Sequence, residues 1–351
     1  MPSITKSIAV HPSLHKNALG LTIRDYEGSM STLCAGCGHD SVTAAIIRAF
    51  WELSTPPHMI AKMSGIGCSS KTPTYFVSGA HGFNSAHGRM AAIATGANAA
   101  NRELTYVGIS GDGDSLSIGL GHMCHAIRRN VKMLYVIENN GVYGLTKGQF
   151  SASADIGSKS KRGEANRMAP IDPVWLGLSL GATFIARSFS GDKEQLVPIL
   201  KAAISHRGFA LVDVISPCVT FNDHKGSTKS YLHTRQHALK ATETDFVPPA
   251  AEILAKIGTN GAISVTMHDG SILRFKGVPK DYDPADREKV SAFLREHQDK
   301  GEIVTGLLFV DEGVSDLHEM NQSPAAPLSQ IPYEKLCPGS AELERLQEEF
   351  R

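Results

Sequence analysis

Apolar and polar positions along this chain alternate between two textures. Apolar-rich runs of strand length occupy residues 59–63, 104–110, 131–137, 182–187 and 209–215, as expected of strands buried on both faces. Stretches 41–53, 115–129, 173–181 and 192–206 carry apolar residues at helical spacing, which predicts amphipathic helices between the strands. The alternation over residues 31–245 predicts an α/β unit, a mostly parallel sheet flanked by helices. Residues 1–30 read as an N-terminal arm. From residue 246 the texture changes. Residues 262–275 read as a hairpin around His268-Asp269-Gly270-Ser271, 284–297 as a charged helix, 302–310 as a strand and 341–350 as a terminal helix. Residues 246–351 are therefore expected to form a carboxyl-terminal α+β extension packed on the main unit or on a partner chain.

Two polar clusters fall just past the carboxyl ends of predicted strands, where open α/β sheets bind ligands. One is Gly111-Asp112-Gly113-Asp114 and the other is Asn139-Asn140-Gly141-Val142-Tyr143. Mg²⁺ takes oxygen ligands and shares its shell between a few protein oxygens, phosphate and water. The Asp112 carboxylate, the Asn140 amide oxygen and a nearby carbonyl, that of Val142, suit a magnesium diphosphate site. Gly111 and Gly113 allow the backbone to approach phosphate oxygens, and the following helix start favours negative charge. Gly-Asp-Gly is also an ordinary turn and Asn-Asn-Gly an ordinary loop.

The six cysteines lie at 34, 37, 68, 124, 218 and 337; no signal peptide is expected before them, so metal or redox use is favoured over a disulfide framework. Cys34-Ala35-Gly36-Cys37 is a two-thiolate chelate. Cys68, in Gly65-Ile66-Gly67-Cys68, and Cys218, in Ser216-Pro217-Cys218, each follow a predicted strand. Four thiolates at one sheet rim suit Zn²⁺ or an iron-sulfur cluster. Only one Cys-x-x-Cys knuckle is present, which favours the cluster; Cys68 and Cys218 as buried small hydrophobes is the other reading. Cys124, mid-helix, and Cys337, in the tail, read as structural.

In order, the motifs CAGCGH (34–39), GIGC (65–68), HGR (87–89), GDGD (111–114), NNGVYGLTKGQ (139–149) and SPC (216–218) resemble those of the β subunits of 2-oxoacid:ferredoxin oxidoreductases. The likeness covers roughly residues 33–223. It implies a thiamine diphosphate and Mg²⁺ site beside a [4Fe-4S] cluster. Carried over by position, the cluster ligands would be Cys34, Cys37, Cys68 and Cys218, and the magnesium ligands Asp112, Asn140 and Val142. Thiamine diphosphate contacts would come from Ile66, Gly67, Cys68, Ser69, His87, Gly111, Gly113, Asp114, Gly144 and Leu145. The first motif of the family often reads Trp-Cys-Pro-Gly-Cys-Gly, whereas Leu33 and Ala35 stand here, which alters the surroundings of the thiolates without altering their spacing.

The resemblance further implies coenzyme A-dependent oxidative decarboxylation of a 2-oxoacid, with electrons passed to ferredoxin, reversible as reductive carboxylation. The chain matches only a diphosphate-binding half, so an α subunit is expected to complete the site in an α2β2 assembly. Lys147 suits the distal carboxylate of a dicarboxylic substrate, and pyruvate-specific relatives often lack a lysine there; 2-oxoglutarate is therefore favoured over pyruvate. Lys71 suits the 1-carboxylate or coenzyme A phosphates, and His87 suits cofactor orientation or a developing oxyanion. A solvated side chain is the alternative for either lysine, and a backbone-satisfied histidine for His87.

Composition removes other classes. Lys plus Arg and Asp plus Glu number 35 each, so no global field draws nucleic acid or a membrane surface. No apolar run approaches the roughly 20 residues that span a bilayer, and a cytoplasmic location is expected. The lysines at 6 and 16, with no acid before Asp25, leave a targeting segment as the alternative. The polar stretch 151–172, with Lys159, Lys161, Arg162 and Arg167, reads as a solvated loop or a docking surface. The rival readings are a cluster-free thiamine enzyme, which usually carries both cofactor domains on one chain, and a non-enzymatic zinc-stabilised interaction module.

Overall fold

A computed structural model describes residues 11–248, 263–279, 282–337 and 339–351. In chain order the strands are β1 (Ile60–Ser64), β2 (His81–Asn84), β3 (Thr105–Gly111), β4 (Met133–Asn139), β5 (Val142–Tyr143), β6 (Gln149–Phe150), β7 (Phe184–Phe189), β8 (Phe209–Ile215), β9 (Ala238–Lys240), β10 (Glu243–Val247), β11 (Ile263–Thr266), β12 (Ile272–Lys276) and β13 (Ile303–Val310). Eight of them form one sheet in the order β2-β1-β3-β4-β8-β7-β13-β9. From β2 to β7 all neighbours run parallel, so the carboxyl ends of β1, β2, β3, β4 and β8 share one rim. β13 closes antiparallel on β7, and β9 runs parallel to β13.

Helices cover both faces, as the alternating texture predicts. α1 (Gly38–Glu52) and α5 (Lys193–Ser205) bury Ile46, Phe50, Leu196 and Leu200 against Val107, Val136 and Val212. α2 (Met90–Ala100), α3 (Leu120–Arg128), α4 (Pro173–Leu180) and, later in the chain, α6 (Arg287–Asp299) lie on the other face. There Met90, Met123, Leu178 and Leu294 meet Tyr135, Ile137 and Leu211. Tyr135, Val136 and Ile137 thus alternate between the two cores with the period of a strand. Each such apolar side chain contributes about 1.5–3 kcal/mol by leaving water, and Phe50→Ala would cost about 3–5 kcal/mol. Local chemistry sets the helix ends: Asp172 caps α4 by accepting from the Val174 N–H at 2.8 Å, Pro173 fills its first turn, and Gly181 at φ +81° stops it.

Three features depart from the sequence reading. The helix predicted from 115 begins instead as a π-helical turn, Asp114–Ile118, and α3 follows it. The extension from 246, expected to pack on the main unit or a partner chain, also enters the main sheet through β13, while β10, β12 and β11 form a small sheet of their own. Strand β2 was not predicted; all four of its residues are exposed, so no apolar run marks it. The expected hairpin is present as β11 and β12, although residue 262 lies outside the described residues. So do residues 1–10 of the expected arm. The rest of the arm packs on α1: Tyr26 is fully buried and its hydroxyl donates to the Thr55 carbonyl at 2.8 Å.

Candidate functional site

The loops leaving β1, β3 and β4 converge on one cleft at the shared rim. Residues 66–69, 111–114, 140 and 142–144 line it, together with His39 and Glu138. Asp112 is 1% exposed. Its Oδ2 accepts from the Gly141 N–H at 3.0 Å, from Ser153 at 2.6 Å and from Ser151. Burial pushes this carboxyl up, and the two serine hydroxyls pull it back. Asn140 accepts from the Val142 N–H at 3.1 Å through Oδ1, while its carbonyl accepts from Asn222 at 2.7 Å. Gly141 takes φ +74°, the left-handed region open to glycine, and this bend brings the Asn140 loop onto Asp112.

Asp114 has a different task. It accepts from the N–H of Ile66 at 3.2 Å, the N–H of Gly88 at 2.6 Å and the Ser110 hydroxyl at 2.9 Å. One carboxylate therefore ties together the loops after β1, β2 and β3. The adjoining π turn closes through Gly119 N–H to the Asp114 carbonyl at 2.7 Å; such turns recur at functional sites. Gly113 is close-packed, since a Cβ there would overlap the Tyr143 ring, whose hydroxyl donates to the Gly113 carbonyl at 3.1 Å.

The four cysteines are gathered at the same rim. The Cys34–Cys37 turn closes by Cys37 N–H to the Cys34 carbonyl at 3.0 Å, and the Gly38 N–H binds the Pro217 carbonyl at 3.2 Å, joining the start of α1 to the Cys218 loop. Charge on Cys218 bears on the thiols of Cys37 and Cys68, and charge on Cys34 bears on those of Cys68 and Cys218. Burial pushes the Cys37 thiol up to about 12 and raises Cys68 and Cys218 as well. Gly144 passes between two of them: a Cβ on it would stand 3.5 Å from Cys68 Sγ and 3.6 Å from Cys218 Sγ. Among the described residues no group of three His, Cys, Asp or Glu side chains is arranged to hold a single ion.

The other residues singled out from sequence are less central. Lys71 is half-buried on the turn after Cys68, where its charge favours the Cys68 thiolate. Lys147 is exposed at φ +82°, and such a backbone costs a side-chain-bearing residue on the order of 1 kcal/mol. Leu145 and His87 are exposed in this chain and do not line the cleft.

Sequence reasoning missed Glu138, His39, Ser151 and Ser153. Glu138 is fully buried; Thr72 Oγ1 lies 3.0 and 3.1 Å from its oxygens, and His39 Nδ1 lies 3.6 Å from Oε2. That distance fits an ion pair, but burial raises the Glu138 carboxyl well above its usual range and lowers His39 to about 4. Burial thus favours the neutral form of both groups, and His39 Nδ1 is hydrogen-bonded to Ser216 at 2.6 Å. A lone acid inside the apolar run 133–139 was the available signal. A wider cavity of about 490 Å³, between Asp172, Arg187, Lys229, His233 and Glu302, shares only Asn139 and Ser153 with the rim residues.

Residues 65–214 match the thiamine pyrophosphate enzyme, C-terminal TPP binding domain, family. The chain is 42% identical over 207 residues to the 2-oxoacid:ferredoxin oxidoreductase subunit beta of Saccharolobus solfataricus, covering 59% of this chain and 67% of that one. It is 41% identical over 225 residues to the 2-oxoglutarate oxidoreductase subunit KorB of Mycobacterium tuberculosis, covering 63% and 58%. The fold superposes on a solved 2-oxoglutarate:ferredoxin oxidoreductase from Magnetococcus marinus, with 2-oxoglutarate, coenzyme A and succinyl-CoA bound, at a TM-score of 0.71 and 28% identity, covering 93% of this chain and 98% of that one. Such likeness excludes the non-enzymatic zinc module considered from sequence. The ordered motifs, the parallel sheet whose rim gathers them and these relatives agree, and the chain belongs to the 2-oxoacid:ferredoxin oxidoreductase β subunits.

Proposed function

We propose that this β subunit serves the coenzyme A-dependent oxidative decarboxylation of 2-oxoglutarate to succinyl-CoA and CO₂, with electrons leaving through a [4Fe-4S] cluster to ferredoxin, and with reductive carboxylation as the reverse. The observation carrying this reading is Gly144, which lines the cofactor cleft and faces the Cys68 and Cys218 sulfurs, 3.5 and 3.6 Å from where a Cβ on it would stand. Cofactor and cluster residues thereby share one wall.

Bound thiamine diphosphate supplies the electron sink that lets a 2-oxoacid lose CO₂. Asp112, Asn140 and the Val142 carbonyl would hold its Mg²⁺, with Ser151 and Ser153 fixing the Asp112 carboxylate. The loops 66–69 and 111–114 and Gly144 would cradle the cofactor, while His87 and Leu145 would reach it from the rim. Cys34, Cys37, Cys68 and Cys218 would hold the cluster, which takes electrons singly. Lys71 would meet the substrate 1-carboxylate or the coenzyme A phosphates, and Lys147 the distal carboxylate.

The match to a diphosphate-binding domain and the β-subunit names of the relatives support an α subunit that completes the site in an α2β2 enzyme. Residues 31–245 would bear the cofactors, and 246–351 would add the flanking strands. No helix among the described residues is long and apolar enough to cross a membrane, which is compatible with a cytoplasmic enzyme.

The test is coenzyme A-dependent viologen reduction by the co-expressed α and β chains. A higher kcat/KM with 2-oxoglutarate than with pyruvate is expected, and Lys147→Ala should remove that preference. Equal rates on both substrates, or equal losses in the variant, would overturn the substrate assignment. A colourless anaerobic preparation holding stoichiometric zinc would overturn the cluster.

A further inference from the structure

We infer that the hairpin formed by residues 158–166 is the docking surface for an anionic, thiolate-ligated iron-sulfur carrier protein, which takes electrons over Thr220 and Cys34. This rests on the cluster reading above. Cys34 is the exposed member of the four cysteines. Its sulfur accepts from the Thr220 hydroxyl at 3.3 Å, and Lys161 Nζ donates to the Thr220 carbonyl at 3.3 Å. The hairpin therefore overhangs the point where the cysteine rim meets solvent.

The hairpin is ordered in advance. Lys159 and Ala165 bridge in antiparallel fashion, the Ser160 N–H binds the Glu164 carbonyl at 2.7 Å, and the Lys159 N–H binds the Gly226 carbonyl at 3.1 Å. Asn166 anchors its base on the Ala154 carbonyl at 2.7 Å. A surface fixed in this way loses little entropy on binding.

Its charge is mainly positive in a chain whose formal net charge is zero: within residues 158–166 Lys159, Lys161 and Arg162 stand against one acid, Glu164. Lys159, Lys161, Arg162, Arg167 and the neighbouring Lys225 are exposed, and among the described residues no carboxylate pairs with them. Exposed Ile156 (63%) and Met168 (76%) flank the bases, giving apolar contacts beside a cationic field. A carrier cluster bound by four thiolates is net negative in either redox state, so this field steers and orients it. In the transfer one electron leaves the enzyme cluster and reduces the carrier cluster by one; no bond forms or breaks.

The experiment compares the α/β holoenzyme with its Lys161→Glu/Arg162→Glu variant, using a purified bacterial-type ferredoxin and, separately, methyl viologen. The KM for ferredoxin should rise about tenfold and its salt dependence should flatten, with the viologen rate unchanged, and Lys161→Arg/Arg162→Lys should behave as the parent. Unchanged ferredoxin KM and salt slope with intact viologen activity would overturn the docking surface while leaving the enzyme reading standing. Loss of α-subunit co-purification or of cluster absorption in the variant would assign the hairpin to assembly and overturn it also. A parent holoenzyme that reduces no viologen would remove the underlying reading, and this inference with it.

Discussion

Ser153 stands 2.6 Å from the Asp112 carboxylate although 41 positions separate them in sequence. The serine also lies 2.9 Å from Asn139 Oδ1, and Asn139 donates in turn to Asp213 at 2.9 Å. A single hydroxyl thus sits between the proposed magnesium ligand and the ends of two central strands.

Ser153→Ala should weaken magnesium-dependent binding of thiamine diphosphate by about 10–100-fold, the usual cost of removing a group that orients a metal ligand. Stability should fall by only about 1 kcal/mol, because Ser151 and Gly141 still donate to Asp112. Calorimetric titration of the holoenzyme at fixed cofactor and varied Mg²⁺ measures the first effect. Parent-like affinity would remove Ser153 from the site.

Gly144→Ala separates folding from cluster assembly. The added methyl meets the Cys68 and Cys218 sulfurs at 3.5 and 3.6 Å, an ordinary contact while the thiols stand alone. Thermal stability of the metal-free chain should stay within about 1 kcal/mol of the parent, while iron and sulfide content after anaerobic reconstitution should drop severalfold. A variant with full iron content would show that the cluster does not fill this space.

Arg187 joins three elements by bonding Asp213 at 2.8 Å and Asp172 at 2.5 Å. Asp213 is 1% exposed, so Arg187→Met leaves a buried charge without its partner and should cost about 3–5 kcal/mol. The exposed pair Arg345–Glu342 is a control, where Arg345→Ala should change stability by less than about 0.5 kcal/mol. Urea denaturation of both variants decides the contrast.

Glu312 predicts an acid limit. Burial alone would raise its carboxyl, but hydrogen bonds from His206 and His268 overcome this and hold it far below the usual range. Folding then favours the ionised form, so the contribution is present above the unfolded value of about 4.3 and fades as pH falls below it. Glu312→Gln should lower stability by about 1–2 kcal/mol at pH 7, and the gap to the parent should narrow progressively as pH falls below about 4. A constant difference across that range would count against the assignment.

Much of the sheet was legible because β3, β4 and β8 are buried on both faces and read as unbroken apolar runs. β2 was silent because an exposed edge strand carries no such run. The Asp112 and Asn140 loops, Cys68 and Cys218 were legible because each follows a strand closely, and Cys34 and Cys37 because they form a Cys-x-x-Cys pair just before α1. Ser151 and Ser153 were not, since serines in a polar stretch resemble a solvated loop and their partner lies some 40 positions back in the chain. Glu138 was absorbed into a strand whose apolar texture outweighed one acid.

Strand β13, residues Ile303–Val310, covers the edge of β7 in the finished sheet. Synthesis runs from the amino end at roughly 5–20 residues per second, so β7 is made more than a hundred positions before its cover. During that interval the nascent chain displays an uncapped strand edge, the surface that pairs most readily with other chains. Ribosome pausing, chaperone supply and expression temperature should therefore govern the yield of intact subunit far more than they govern the stability of the product.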